Sequence, residues 1–182
     1  IIEGLRTPYA KAGTALKELT ADALGAFVLK EIVARTGIDP EGVDEVIVGN
    51  AGMPAEAANI GRVIALRAGI PQRIPAYSVQ RNCASGMQAI ASAHGQITAG
   101  LSEIVLVAGV ESMSNFGFYT TKRLKDIFTR IGRSKSFWGK AAAALSIRPK
   151  DLMPVVGLTL GLTDPISGLN MGQTAENLAR DF

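Results

Sequence analysis

Val79-Gln80-Arg81-Asn82-Cys83-Ala84-Ser85-Gly86-Met87 holds the only cysteine of the 182-residue chain and marks a change of period in the sequence. Ile74 to Val79 is an apolar, extended run, whereas Ser85 to Ala99 carries apolar residues at helical spacing. A strand therefore runs into a polar corner at Cys83 and a helix leaves it. The start of a helix gathers unpaired N–H groups and the positive end of its dipole, an environment that favours a thiolate over a thiol. A lone cysteine is more often a small buried hydrophobe, but a strand-to-helix corner is where α/β enzymes present nucleophiles. The small residues Ala84, Ser85 and Gly86 let a substrate come close. Cys83 is therefore read as a catalytic nucleophile.

The flanking sequence extends this pattern. Ile1-Ile2 reads as the end of a strand; Thr20 caps a helix with an inward face of Leu24, Phe27, Val28 and Ile32, stopped by Gly37. Glu45–Gly49 is a strand, Asn59–Ala68 a helix with Ile60, Val63, Ile64 and Leu66, and Ile104–Ala108 a fully buried strand. On the helix after Cys83, Met87, Ile90, Ala91 and Ile97 are expected to face inward. Strands alternating with helices predict an α/β fold, a mixed five-stranded sheet covered on both faces. Ligands in such sheets bind beyond the carboxyl ends of the strands, where Cys83 falls.

Composition narrows the function classes. Apolar residues make up 47% and charged residues 19%, which excludes a disordered chain, and no apolar run spans a bilayer. One cysteine and one histidine cannot make an internal disulfide or a Cys/His metal site, so no metal is expected and the compartment reads as reducing. Gly49-Asn50-Ala51-Gly52 follows a strand but lacks the third glycine of a dinucleotide loop. His94 lies eleven residues after Cys83, about three turns or roughly 16 Å along a helix, too far to act as its base. The first residue is not methionine, and the last residues stop inside a helical pattern that begins near Gln173, so both ends read as cut.

From Phe116 to Lys150 nine lysines and arginines face one acid, Asp126, although the whole chain carries only +3. Leu124, Ile127, Phe128 and Ile131 make an amphipathic helix there with a cationic polar face. An ordinary solvated helix, a site for an anionic cofactor and a membrane- or partner-docking surface all fit that pattern. Nucleic acid fits poorly, because Phe137 and Trp138 are not interleaved with the basic residues.

Four segments in order, Gly4-Leu5-Arg6-Thr7-Pro8, Asn82–Ile90, Val107–Ser114 and Asn170–Asn177, resemble the N-terminal half of the thiolases. The basic insert with Asp151-Leu152-Met153-Pro154 is similar to the fatty-acid-degrading branch, where the thiolase is the β subunit of a trifunctional complex. The resemblance implies an N-terminal thiolase domain over residues 1–115 and a truncated coenzyme A-covering loop subdomain over 116–182. It implies an acyltransferase that cleaves 3-ketoacyl-CoA, or runs the reverse condensation, through an acyl thioester on Cys83. Met171 would line the acyl pocket, coenzyme A and acyl-CoA would be substrates, and no cofactor would be held permanently. Thiolases form dimers or dimers of dimers, so a homo-oligomer is implied, with a multifunctional partner subunit and a peripheral membrane contact through the basic helix as further partners. The location implied is cytoplasmic, or mitochondrial in a eukaryote. The family's catalytic histidine and second cysteine lie in a C-terminal half with no counterpart here, so this polypeptide alone is expected not to turn over. A ketoacyl-synthase-like condensing enzyme and a non-catalytic thiolase-like binding module are the alternatives.

Overall fold

The computed structural model describes residues Ile1 to Phe182. The chain forms two compact units, residues 1–115 and 116–182. In the first, α1 (Ala21–Thr36), β1 (Glu45–Gly49), α2 (Ile60–Arg67), β2 (Ala76–Val79), α3 (Ser85–Thr98) and β3 (Val105–Gly109) alternate. The strands make one parallel sheet in the order β2-β1-β3; Gly49, the last residue of β1, sits opposite Val79 on one side and Gly109 on the other. Alternation along β1 divides the core. Val46 and Val48 face Leu29 of α1 and Ile60 and Ile64 of α2, while Ile47 faces Ala89 and Ala93 of α3. Helices thus cover both faces of a parallel sheet, as expected of an α/β chain.

The sheet has three parallel strands rather than five mixed ones. Ile1 and Ile2 are exposed and lie in no strand, unlike the strand end expected there. Ile74 lies in the core just before β2, and β3 is an edge strand in which only Leu106 is buried, not the fully buried strand that its apolar run suggested.

Two helices turn a different face inward from the one their large apolar residues suggest. On α1 the buried line is Gly25, Ala26 and Leu29, with Ile32 packed against the same core as expected, and Phe27 is 67% exposed. A Cβ on Gly25 would lie 2.5 Å from Ile64 Cδ1, so any larger residue there would make the buried Ile64 side chain shift. On α3 the inward line is Ser85, Ala89 and Ala93, whereas Met87 is 69% exposed and Ile90, Ala91 and Ile97 are also outside. On α3, close approach of backbones, not side-chain size, selects the face. Thr20 does occupy the N-cap of α1, but its side chain makes no capping bond; Gly37 ends the helix with a left-handed φ of 66°.

The second unit contains β4 (Phe118–Tyr119), α4 (Lys122–Arg133), α5 (Phe137–Leu145), β5 (Val155–Val156), α6 (Gly157–Gly161) and α7 (Met171–Asp181). β4 and β5 form a short antiparallel ladder. The Thr121 hydroxyl accepts the Leu124 N–H to start α4, which buries Leu124 and Ile127 and leaves Phe128 mostly outside. Asp151, 4% exposed, accepts from the Arg148 N–H and from Arg123 Nε and so ties α4 to the segment before β5. α7 starts at Met171, two residues before the expected Gln173, because Gln173 reaches back to the Asn170 N–H while Asn170 accepts the Gln173 N–H, a reciprocal cap. No helix is long and apolar enough to cross a membrane.

Candidate active site

Cys83 lies at the carboxyl end of β2, one residue before Ala84, the N-cap of α3, and is exposed. The corner is built by its neighbours. Asn82 has a left-handed φ of 47°, which an asparagine tolerates better than most residues. The Asn82 carbonyl accepts the Ser85 N–H at 3.1 Å and the Ser85 hydroxyl at 2.7 Å, and the Ser85 Oγ accepts the Arg81 N–H at 2.8 Å. Ser85 is 4% exposed. It was expected to leave room for substrate; it is instead buried beneath the corner. The helix's own bonding begins at the Ala84 carbonyl, which accepts the Gln88 N–H, so the amides of Cys83, Gly86 and Met87 have no acceptor in the chain. Those groups can receive negative charge that develops beside Cys83.

Three glycines fix where this corner sits. A Cβ on Gly49 would lie 2.3 Å from the Ser85 carbonyl oxygen, and one on Gly109 would lie 3.2 Å from the Gly86 Cα. The first turn of α3 therefore rests directly on the backbone at the ends of β1 and β3.

The loop after β1 completes this end of the sheet. Glu111, just past β3, accepts the N–H groups of Ala51 and Gly52 and the side-chain amide of Asn50. Asn50, 1% exposed, also donates to the Val110 carbonyl and accepts the Met53 N–H. Gln80 donates to the Ala51 carbonyl and links this loop to the Cys83 corner. The glycine-containing turn thus spends its amides on the chain's own carboxylate, which explains why a phosphate loop is not needed to account for it. The sequence reading missed Asn50 and Glu111 as a pair; the available signal was an amide one residue after β1 and a carboxylate two residues after β3. At the amino end of β1 and β3, Asp44 accepts from the N–H groups of Glu103 and Ile104, and these backbone bonds, Ile104's foremost, hold its carboxyl below the usual carboxylate range.

His94 is exposed on α3 and has no part in the corner. Met171, 57% exposed, is the first residue of α7 and lines a shallow depression of about 300 Å³ with Thr159, Leu162, Thr163, Asn170 and Gly172. Cys83 belongs to the first unit and Met171 to the second. No group of three or more His, Cys, Asp or Glu residues is arranged to hold a metal ion.

The family model of the thiolase N-terminal domain matches residues 1–182. The chain belongs to the thiolase family. It is 36% identical over 180 residues to a 3-ketoacyl-CoA thiolase of Aeromonas salmonicida, covering 99% of this chain and 41% of that protein. It is 35% identical over 181 residues to a 3-ketoacyl-CoA thiolase of Pectobacterium atrosepticum, covering 100% of this chain and again 41% of the relative. A thiolase of Ascaris suum solved in complex with coenzyme A superposes with a TM-score of 0.77 at 30% identity, over 97% of this chain and 41% of that one. An acetyl-CoA acetyltransferase of Bacillus anthracis gives 0.75 at 37% identity, over 93% and 38%. This thiolase chain thus spans about two-fifths of the length of the relatives it matches. The family resemblance carried by Asn82–Ile90 and the three other segments is borne out.

Proposed function

We propose that this chain carries the nucleophile of a thiolase-type acyltransferase acting on 3-ketoacyl-CoA. The observation that supports it most is an exposed Cys83 at the carboxyl end of β2 beside unpaired helix-start amides, in a chain of the thiolase family. The Cys83 thiolate attacks the 3-keto carbon, and the negative charge that forms on oxygen meets the Cys83 N–H and its neighbours. The bond between the 2- and 3-carbons breaks and acetyl-CoA leaves as its enolate, which takes a proton. The acyl group remains as a thioester on Cys83 until the thiol of a second coenzyme A displaces it. A thioester suits both steps, because a thiolate attacks readily at neutral pH and another thiol resolves the product.

The remaining parts follow from the same reading. Met171 lines the acyl chain's path, and residues 116–182 act as the loop subdomain that covers coenzyme A, with the cationic face of α4 drawn to its phosphates. Coenzyme A and acyl-CoA are substrates. The active assembly is a homodimer or dimer of dimers in the cytoplasm, or in a mitochondrion in a eukaryotic host. A multifunctional fatty-acid oxidation subunit is a further partner, and the basic helix touches the membrane surface. Residues 1–182 hold no second cysteine and their one histidine is His94, so the groups that exchange protons with the nucleophile and the enolate are not among them. Each such group is typically worth about 10²–10⁴ in rate.

The test is incubation of the chain with acetyl-CoA followed by intact mass. One acetyl group per chain, absent in Cys83→Ala and without steady turnover, is expected. No acetyl uptake by the unaltered protein would overturn the proposal.

A further inference from the structure

The Ser85 hydroxyl sits beneath the corner that presents Cys83, and its two bonds go to the backbone on either side of one strained residue. It accepts the Arg81 N–H at 2.8 Å and donates to the Asn82 carbonyl at 2.7 Å, and between those two peptides lies the left-handed φ of 47° at Asn82. The Asn82 side chain makes no hydrogen bond and is exposed, so that side chain does not hold the conformation. Ser85 itself cannot shift: it is 4% exposed, and its carbonyl rests against Gly49, where even a methyl group would come within 2.3 Å. Two backbone bonds also close the corner, from the Ala84 N–H to the Arg81 carbonyl at 3.0 Å and from the Ser85 N–H to the Asn82 carbonyl at 3.1 Å; the hydroxyl adds a side-chain strut from the α3 first turn to the backbone on both sides of the strained φ.

We propose that Ser85 is a positioning residue for acyl transfer: it locks the left-handed turn at Asn82 so that Cys83 stays beside the free amides of α3 while an acyl group is taken up. This rests on the reading of Cys83 as the acylated nucleophile. Ser85 faces the backbone rather than the substrate, so its loss changes how the thiol is held and not how acyl-CoA binds. A displacement of about 1 Å at a reacting centre can cost on the order of 100-fold in rate.

The experiment follows single acetylation of Cys83 in the intact chain at several acetyl-CoA concentrations, with urea denaturation run in parallel. The expected result for Ser85→Ala is a fall of about tenfold or more in the limiting rate, with the half-saturating acetyl-CoA concentration unchanged in a folded protein. Ser85→Thr, which keeps the hydroxyl, restores the rate. Asn82→Ala disfavours the left-handed turn at an exposed position and leaves the hydroxyl in place; it reproduces the selective loss and guards against a Ser85 variant that fails to fold. Equal limiting rates in the unaltered chain and in folded Ser85→Ala or Asn82→Ala overturn the positioning role. A raised half-saturating concentration with an unchanged limiting rate overturns it as well. No acetylation of the unaltered chain instead overturns the underlying nucleophile reading.

Discussion

Gly49→Ala is the sharpest test of how the site is built. The added methyl would lie 2.3 Å from the Ser85 oxygen, 2.4 Å from its carbonyl carbon and 2.6 Å from the Gly86 nitrogen, all backbone atoms that no rotamer change can move. Ordinary contact begins near 3.4 Å, so the first turn of α3 must lift from β1 by about 1 Å. Overpacking of this kind costs about 1–3 kcal/mol, and backbone contact puts Gly49→Ala at the upper end. For a unit of 115 residues a loss of about 2–3 kcal/mol lowers the melting temperature by roughly 8–12 °C. Gly95→Ala is the matched control. Gly95 is on the same helix with nothing within 4 Å of the added Cβ, so the change should stabilise by about 0.5–1 kcal/mol through helix propensity. Thermal unfolding followed by far-UV circular dichroism measures both. If Gly49→Ala unfolds within a degree or two of the parent, the close seating of α3 on β1 is wrong, and so is the geometry assigned to the Cys83 corner.

Arg67 pairs at 2.7 Å with Asp22, whose side chain is only 10% exposed, whereas Arg35 pairs with Glu31 on an open helix face. Arg67→Ala should therefore cost about 1–3 kcal/mol by stranding a carboxylate, against about 0.3–0.5 kcal/mol for Arg35→Ala; equal urea midpoints would contradict this. The Asp151 carboxyl is held below its ordinary value, first by the Arg148 N–H bond and then by Arg123. Its stabilising effect is thus complete above the unfolded carboxyl's value of about 3.9 and is lost as pH falls through the lower folded value. Urea midpoints for the second unit should decline below about pH 4, and Asp151→Asn should be less stable near neutrality and flatter across that acid limb. An acid limb unchanged in Asp151→Asn would refute the assignment.

Much of the first unit was legible because its signals are local. Glu45–Gly49 is a strand with those bounds, Gly37 ends α1, and the helix after Cys83 starts at Ser85. What escaped was orientation. Met87 and Ile97 look like a core stripe by spacing, but the face that turns inward is Ser85, Ala89 and Ala93, because Gly49 and Gly109 let only a small-residue face approach. That depends on glycines far away in sequence, which no window along α3 contains. The roles of Ser85 and Glu111 were hidden for the same reason: their partners are backbone groups whose positions exist only after folding. The start of α7 was missed at closer range, since Gln173 acts three residues into the cap and not at its edge.

The central claim is that one sulfur accepts the acyl group. The five lysines between Phe116 and Lys150 offer amines that acetyl-CoA could modify without any catalytic site, so location matters more than uptake. Peptide mapping of the acetylated chain by tandem mass spectrometry decides between them. The account predicts acetyl on Cys83, removed by added coenzyme A; acetyl spread over lysines with Cys83 unmodified would contradict it.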